Sequence, residues 1–384
     1  MKYDFIVFGG TGLQGRICSR DLLESGHSVL IAGRNPEGIR KLLSEHRKKS
    51  KFIKVDLRNF NGIARAIRKS KARVVVNCAE LTFNIAIMKA CLKSKRSCTD
   101  LGGLQEITRE QFKLHPNFQK AGIINITGCG STPGIINVMA RHAAKHFDKI
   151  ETIYLGFAWD SNIKKFVTPY SIQSIFNEFT QNPVTYHNGK FIAESKFRCI
   201  GRMKFPEVGE QTVYCIVHSE VFTFSRYFKN KGLKNIHYMA GFPEHSLAII
   251  KMLIDLGFNS KKPIVVEGKK ISPLEYTQSI LKKLKTPKGY KETEDLWVRI
   301  DGFKSEKRKK MKMDCIIRSQ KGWEEAGSNI DTGQTISVMS QMLFNGLIKE
   351  NGVYAPESVI PEKEFFAQLA RRKMFIYENG RRIN

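Results

Sequence analysis

Residues 9–16 read GGTGLQGR, between the apolar run YDFIVF and the stretch ICSRDLLESG. Gly10, Gly12 and Gly15 fit G-x-G-x-x-G, and Gly9, Gly12 and Gly15 fit G-x-x-G-x-x-G. Either spacing turns a strand tightly into a helix whose first N–H groups are free to meet a pyrophosphate. Gly10, Thr11, Gly12, Leu13, Gln14 and Gly15 are therefore expected to cradle a nicotinamide dinucleotide. Selection between the two such coenzymes turns on the end of the second apolar run, SVLIAG. Gly33 stands where an acid would hold a ribose 2′-hydroxyl, and Arg34 and Asn35 follow. A guanidinium pairs with a 2′-phosphate and stacks on adenine, which favours NADP; NAD remains the alternative if Arg34 is only a solvated charge. Asp56 reads either as an adenine-side contact or as a helix N-cap. Asn77, Cys78 and Ala79 end a fourth strand, where small residues let the nicotinamide ribose approach.

Two further glycine-rich stretches follow strands, DLGG at 100–103 and TGCGSTPGIIN at 127–137. Pro133 suits the first turn of a helix, so Gly130 and Pro133 are expected beside the coenzyme, and Gly102, Gly103 and Ser131 beside a substrate. A proton carrier is needed near the nicotinamide. Asp100 and His218 are the candidates; capping is the other reading of Asp100, and a structural role that of His218. Ser219, Arg226 and Lys204 could bind a substrate carboxylate, or serve as a cap and as surface charges. His245 is a weaker candidate. His142 and His146 lie four apart, but no acid or cysteine joins them at zinc spacing, so no metal site is expected.

The elements that must carry these residues form an α/β chain. Residues 1–127 alternate short Val/Ile-rich strands with helices, which predicts an N-terminal Rossmann domain with a doubly wound parallel sheet. Residues 128–330 read as a second, α+β domain of mixed sheet, with a hairpin at the Asn-Gly of TYHNGKFI. The stretch 331–384 reads helix then short strand. The eight cysteines form no CxxC pair and read as reduced thiols of a cytoplasmic protein. No apolar run reaches the ~18 residues of a membrane helix, and the opening strand pattern argues against a signal peptide. The net charge of +28 is dispersed, densest in KRKKMK at 307–312, which reads as a solvated loop or strand edge. No RNA- or DNA-binding motif accompanies it, so a nucleic-acid partner is not expected.

The run VVVNCAELTFNIAIMKACLKSKRSCTDLGG, then GCGSTPGIINVMARHAA, resembles the saccharopine dehydrogenase family. TYHNGKFI, the HSE segment at 218, TISVMSQMLFNGLI and the ending GVYAPESVIPEKEFFAQLARRKMF are similar to its lysine 6-dehydrogenase branch. That branch tends to carry an acid where Gly33 and Arg34 stand. The resemblance implies hydride exchange between a nicotinamide and a carbon bearing nitrogen, on saccharopine, lysine or a polyamine precursor of the carboxynorspermidine or homospermidine type. It also implies a homodimer and a C-terminal segment, 331–384, packed back on the Rossmann domain. Two other classes remain open. One is a short-chain NADP reductase, whose Tyr-x-x-x-Lys spacing recurs at Tyr186–Lys190 and Tyr227–Lys231. The other is a non-catalytic dinucleotide sensor.

Overall fold

The computed structural model describes residues 2–384 apart from Pro169 and Lys282. The first part alternates β1 (Phe5–Phe8), α1 (Leu13–Glu24), β2 (Val29–Gly33), α2 (Arg40–Glu45), β3 (Ser50–Lys54), α3 (Phe60–Ser70), β4 (Val74–Asn77), α4 (Asn84–Ser94), β5 (Ser97–Asp100), α5 (Gln105–Lys113), α6 (His115–Ala121) and β6 (Ile124–Thr127). β1 is buried on both faces: Phe5 and Val7 join one core and Ile6 and Phe8 another. That is why these strands read as continuous apolar runs rather than alternating ones. Strand order 3-2-1-4-5-6 is the doubly wound order, and ligands in such sheets lie at the carboxyl edge where the winding reverses, between β1 and β4.

The chain then runs through α7 (Ile135–Ala144), β7 (Lys149–Ser161), α8 (Ile172–Thr180), β8 (Val184–His187), β9 (Lys190–Ala193), β10 (Cys199–Phe205), β11 (Gly209–Cys215), α9 (Glu220–Tyr227), β12 (Asn235–Gly241), α10 (Glu244–Asp255), β13 (Ile264–Val266), β14 (Lys269–Ile271), α11 (Pro273–Leu281), β15 (Glu292–Lys304) and β16 (Lys307–Arg318). It ends in α12 (Ile330–Phe344), β17 (Gly352–Tyr354), α13 (Pro356–Val359), α14 (Glu362–Arg371), β18 (Phe375–Glu378) and β19 (Arg381–Arg382). A mixed ten-stranded sheet forms the second layer system. β8 and β9 close over Asn188 and Gly189, both at positive φ, as the Asn-Gly pair demands. Tyr186 and Lys190 therefore belong to a hairpin, not to a reductase helix. The basic run 307–312 pairs with β15 on one side, while β18 covers only Met313–Ile316 on the other, so most of it is a strand edge.

The C-terminal stretch divides between the two sheets rather than returning wholly to the first. β17 extends the parallel sheet beside β6, whereas β18 and β19 extend the mixed one. α12 lies against α1 at Gly333, where a Cβ would meet Ile17 at 2.5 Å. Arg372 grips Asp21 of α1 through two bonds of 2.8 Å, and Ser337 of α12 donates to the same carboxylate at 2.6 Å. Among the described residues, no helix is long and apolar enough to cross a membrane.

Candidate active site

The glycine loop fits a dinucleotide on its own geometry. Gly9 (φ +69°) is pressed on the β4 edge, where a Cβ would lie 2.5 Å from Ala79 N. A Cβ on Gly15 would lie 2.2 Å from Gly9 O, so this glycine seats α1 against the loop. Gly12 is different: a Cβ there meets only Gly9 O, at 3.3 Å, and little of the protein's own packing accounts for the open face it presents. Gly12 is also the N-cap of α1, with no capping side chain and no acid in the first turn, so the helix keeps free N–H donors for an anion. At the end of β2, a Cβ on Gly33 would lie 2.6 Å from Thr11 Oγ1, so Thr11 occupies the room that an acid would need. Arg34 has no hydrogen bond or ion pair within the described residues. Asn35 instead accepts from Glu37 N, and Asp56 is held by Arg58, whose hydrogen bonds draw its pKa down to about 2.

The second pair of glycine loops is fastened to that edge by Asp100. Its backbone oxygen accepts from Gly128 N and Cys129 N, at 3.0 and 2.8 Å. Its carboxylate, fully buried, accepts from Gly102 N, Asn84, Gln111, Asn125 and Thr127. Burial raises its pKa against those donors. Asp100 is absent from the cavity wall, so the expectation of a proton carrier gives way to one of a positioning residue: it holds Gly102 (φ +60°) against Gly128. Asn77 is drawn into the same network by its bond to Asn84, and Cys78, just past the end of β4, faces the cavity. Pro133 precedes the helix instead of opening it. α7 begins at Ile135 because Gly134 (φ +142°) sits so close to Gly130 that a Cβ would lie 1.7 Å from its oxygen.

A cavity of about 620 Å³ runs from Leu13 and Gln14 at the phosphate cradle, past Cys78, Gly102, Gly103, Ser131 and Pro133, into the second layer system. His218, Glu178, Glu294 and Asp331 also line it. His218 does not end a strand as its sequence suggested. It lies beyond β11, just before α9, and its ring stacks flat on Tyr238 with centroids 4.1 Å apart. His218 Nδ1 is 2.6 Å from Glu220 Oε2. Glu220, wholly buried, also accepts from Thr132 Oγ1 at 2.8 Å, and the hydroxyl of Tyr238 lies 2.5 Å from that oxygen. Burial works against the imidazolium, but the charge and hydrogen bond of Glu220, with the charge of Glu178, outweigh it and raise the His218 pKa. Nε2 is the nitrogen that Glu220 leaves free.

The three carboxyls are perturbed by burial above all. It lifts Glu178 to about 7 against His218 and the Tyr170 hydroxyl, and Asp331 to about 7 against donors from Thr332 and Ser131. Glu294 is pushed well up by burial and then by Asp331 and Glu292. Clustered acids and a histidine with displaced pKa values in one cleft mark a functional site. Glu178, Glu220, Glu294 and Asp331 were not singled out from sequence.

Other expected residues lie elsewhere. Ser219 is buried at the start of α9 and bonds Glu220, off the cavity wall. Arg226 stands outside the cavity over Phe112 and Phe222, with Arg109 beside it. Lys204 is exposed on β10, and His245 opens α10 without reaching the cavity. His142 and His146 do not line it, and an acid does join them: Glu378, 236 residues after His142.

Two family descriptions match the chain: the saccharopine dehydrogenase NADP binding domain over residues 5–126 and the saccharopine dehydrogenase C-terminal domain over 130–374. A carboxynorspermidine synthase of Vibrio cholerae is 25% identical over 344 residues, covering 83% of this chain and 81% of that protein. The corresponding protein of Vibrio alginolyticus is 26% identical over 255 residues, which span 60% of its own length. A carboxyaminopropylagmatine dehydrogenase of Synechocystis is 22% identical over 336 residues, covering 84% of this chain and 83% of that protein. The fold superposes along its whole length on apo saccharopine dehydrogenase (L-Glu forming) of Saccharomyces cerevisiae, with a TM-score of 0.74 at 13% identity.

Proposed function

The chain belongs to the saccharopine dehydrogenase family of nicotinamide-dinucleotide oxidoreductases, and from that premise we propose that it makes or breaks the C–N bond of a carboxylated polyamine, using NADP. One observation carries the choice of substrate. The cavity wall holds Glu178, Glu294 and Asp331 and, among the described residues, no lysine or arginine. A polyamine brings ammonium groups that neutralise buried carboxylates, whereas saccharopine, with its several carboxylates, would meet them with like charge. The names of the Vibrio and Synechocystis relatives agree with this choice.

In the reductive direction an aldehyde and a protonated amine lose water to give an iminium, and hydride with a further proton gives the secondary ammonium. A reduced nicotinamide dinucleotide held by its pyrophosphate at the glycine loop would supply the hydride. The protein's part is binding and proton transfer. Glu294 and Asp331 hold the distal ammonium. Glu178, with a pKa of about 7, takes the proton that frees the attacking amine. His218, whose pKa Glu220 raises, gives a proton from Nε2 to the departing hydroxyl. The loop at Gly102 and Gly103 also lines the cavity and would receive the aldehyde-bearing portion, while the Ser131 hydroxyl stands beside Asp331 and Thr332.

The test is oxidation of carboxynorspermidine, carboxyaminopropylagmatine and saccharopine with NADP by the purified protein. The expected result is a kcat/KM at least ~100-fold higher for a carboxylated polyamine, the worth of one or two charge-assisted bonds. Equal or better turnover of saccharopine would overturn the assignment. Coenzyme choice has its own test. Arg34→Asp is expected to weaken NADPH binding by ~10–100-fold and leave NADH binding the same or tighter, read by nucleotide fluorescence titration. An unchanged ratio of the two affinities would remove Arg34 from the 2′-phosphate.

A further inference from the structure

Off the cavity wall, three side chains converge that the proposed chemistry does not use. His142 lies in the last turn of α7, His146 two residues past its end, and Glu378 closes β18. His142 Nε2 is 3.1 Å from Glu378 Oε2, and His146 Nε2 is 3.7 Å from the same oxygen. All three donor atoms lie within 4.8 Å of one another. We propose that His142, His146 and Glu378 form a zinc site that ties the C-terminal hairpin to α7.

The dimensions fit a tetrahedral ion. Bonds of ~2.0–2.1 Å place neighbouring ligand atoms ~3.3 Å apart, and the two histidine–carboxylate distances bracket that edge. The outer shell is also in place. His142 Nδ1 lies 3.8 Å from Glu362 Oε2, so with Nε2 on the metal the opposite nitrogen faces a carboxylate, the arrangement that fixes tautomer and ring orientation at zinc histidines. The ring is further held by its edge contact with Phe366. The end of α7 contributes the negative pole of its dipole. A simple ion pair accounts for His142 against Glu378, but not for a second imidazole directed at the same oxygen. Two imidazoles and one carboxylate are a zinc or similar first-row donor set, not one for calcium or magnesium. Three protein ligands leave a fourth position for water. The ion would join the first helix after the Rossmann sheet to the last strands of the chain. Arg141 and Lys145 already hold Glu362 of α14 beside it.

The experiment uses the full chain without an affinity tag, stripped of metal, titrated with Zn²⁺ by calorimetry, with thermal unfolding followed in parallel. The expected result is one saturable zinc per chain and a melting temperature that rises with zinc. His146→Ala removes a half-exposed ring, so the metal-free protein should melt as the parent does. Its zinc affinity should fall by more than the ~10–100-fold carried by outer-shell partners, and zinc should no longer raise its melting temperature. Glu378→Gln should lose affinity likewise. Absence of saturable binding would overturn the site, as would zinc bound as tightly by both variants as by the parent.

Discussion

A His218→Gln protein is expected to bind NADPH as the parent does and to turn over ~10²–10⁴-fold more slowly, the range for loss of a general acid or base. The expectation rests on how completely the imidazole is prepared. One face is stacked on Tyr238, Nδ1 is bound to a carboxylate with no exposure to water, and that carboxylate is itself anchored by Thr132 on the glycine loop beside the coenzyme edge. Glutamine keeps a polar side chain of similar reach but cannot carry the proton. Glu220→Gln supplies the second reading. Removing the charge that raises the His218 pKa should shift the alkaline limb of the kcat profile of the reductive reaction to lower pH, because in that direction the proposed acid is the protonated imidazole. A His218→Gln enzyme with parental kcat, or a Glu220→Gln enzyme with a parental profile, would reduce the pair to a structural contact.

The doubly wound parallel sheet and the glycine turn at its edge were legible because their signals are local: strands buried on both faces, a glycine cluster, a helix start. The acids were not, because they matter only when distant elements meet. Glu178 comes from α8, Glu294 from β15 and Asp331 from α12, and no spacing in the sequence relates them. One signal was nevertheless present. Leu296, Val298 and Ile300 belong to the core, so the alternation of β15 puts Glu292 and Glu294 on the same inward face. Acids on the apolar face of a strand are costly unless a partner arrives. Asp100 is the opposite case. Its place at the ligand edge admitted a catalytic or a capping reading, and in the structure its carboxylate gathers five donors and holds two loops together. Glu378 was missed for the same reason as the cavity acids, since chain separation hides a third ligand that β18 delivers.

Those costs lead to the last expected result: the double substitution Glu294→Gln and Asp331→Asn should stabilise the fold while damaging the enzyme. Each carboxylate lost to the ammonium removes a charge-assisted bond of ~1.5–3 kcal/mol, so the KM for the amine should rise by ~10²-fold or more. Stability should move the other way, and most at high pH. Asp331 and Glu178 titrate at about 7 in the folded chain, and Glu294 is raised too, whereas unfolded carboxyls titrate near ~4. Between those values the folded state binds more protons than the unfolded state. Linkage then makes stability fall as pH rises: it is fully present below the unfolded values and lost through the folded ones. The raised pKa of His218 acts with the same sign, while Asp56, at about 2, affects only strongly acid solution. The parent should therefore lose melting temperature between about pH 5 and about pH 8, and the double variant should lose less. A cationic amine should restore the parent at the upper end of that range but not the variant, as the proposed role of these carboxylates in binding the amine requires. If the variant melts no higher than the parent at the upper pH and keeps the parental KM, these acids neither strain the fold nor hold the amine.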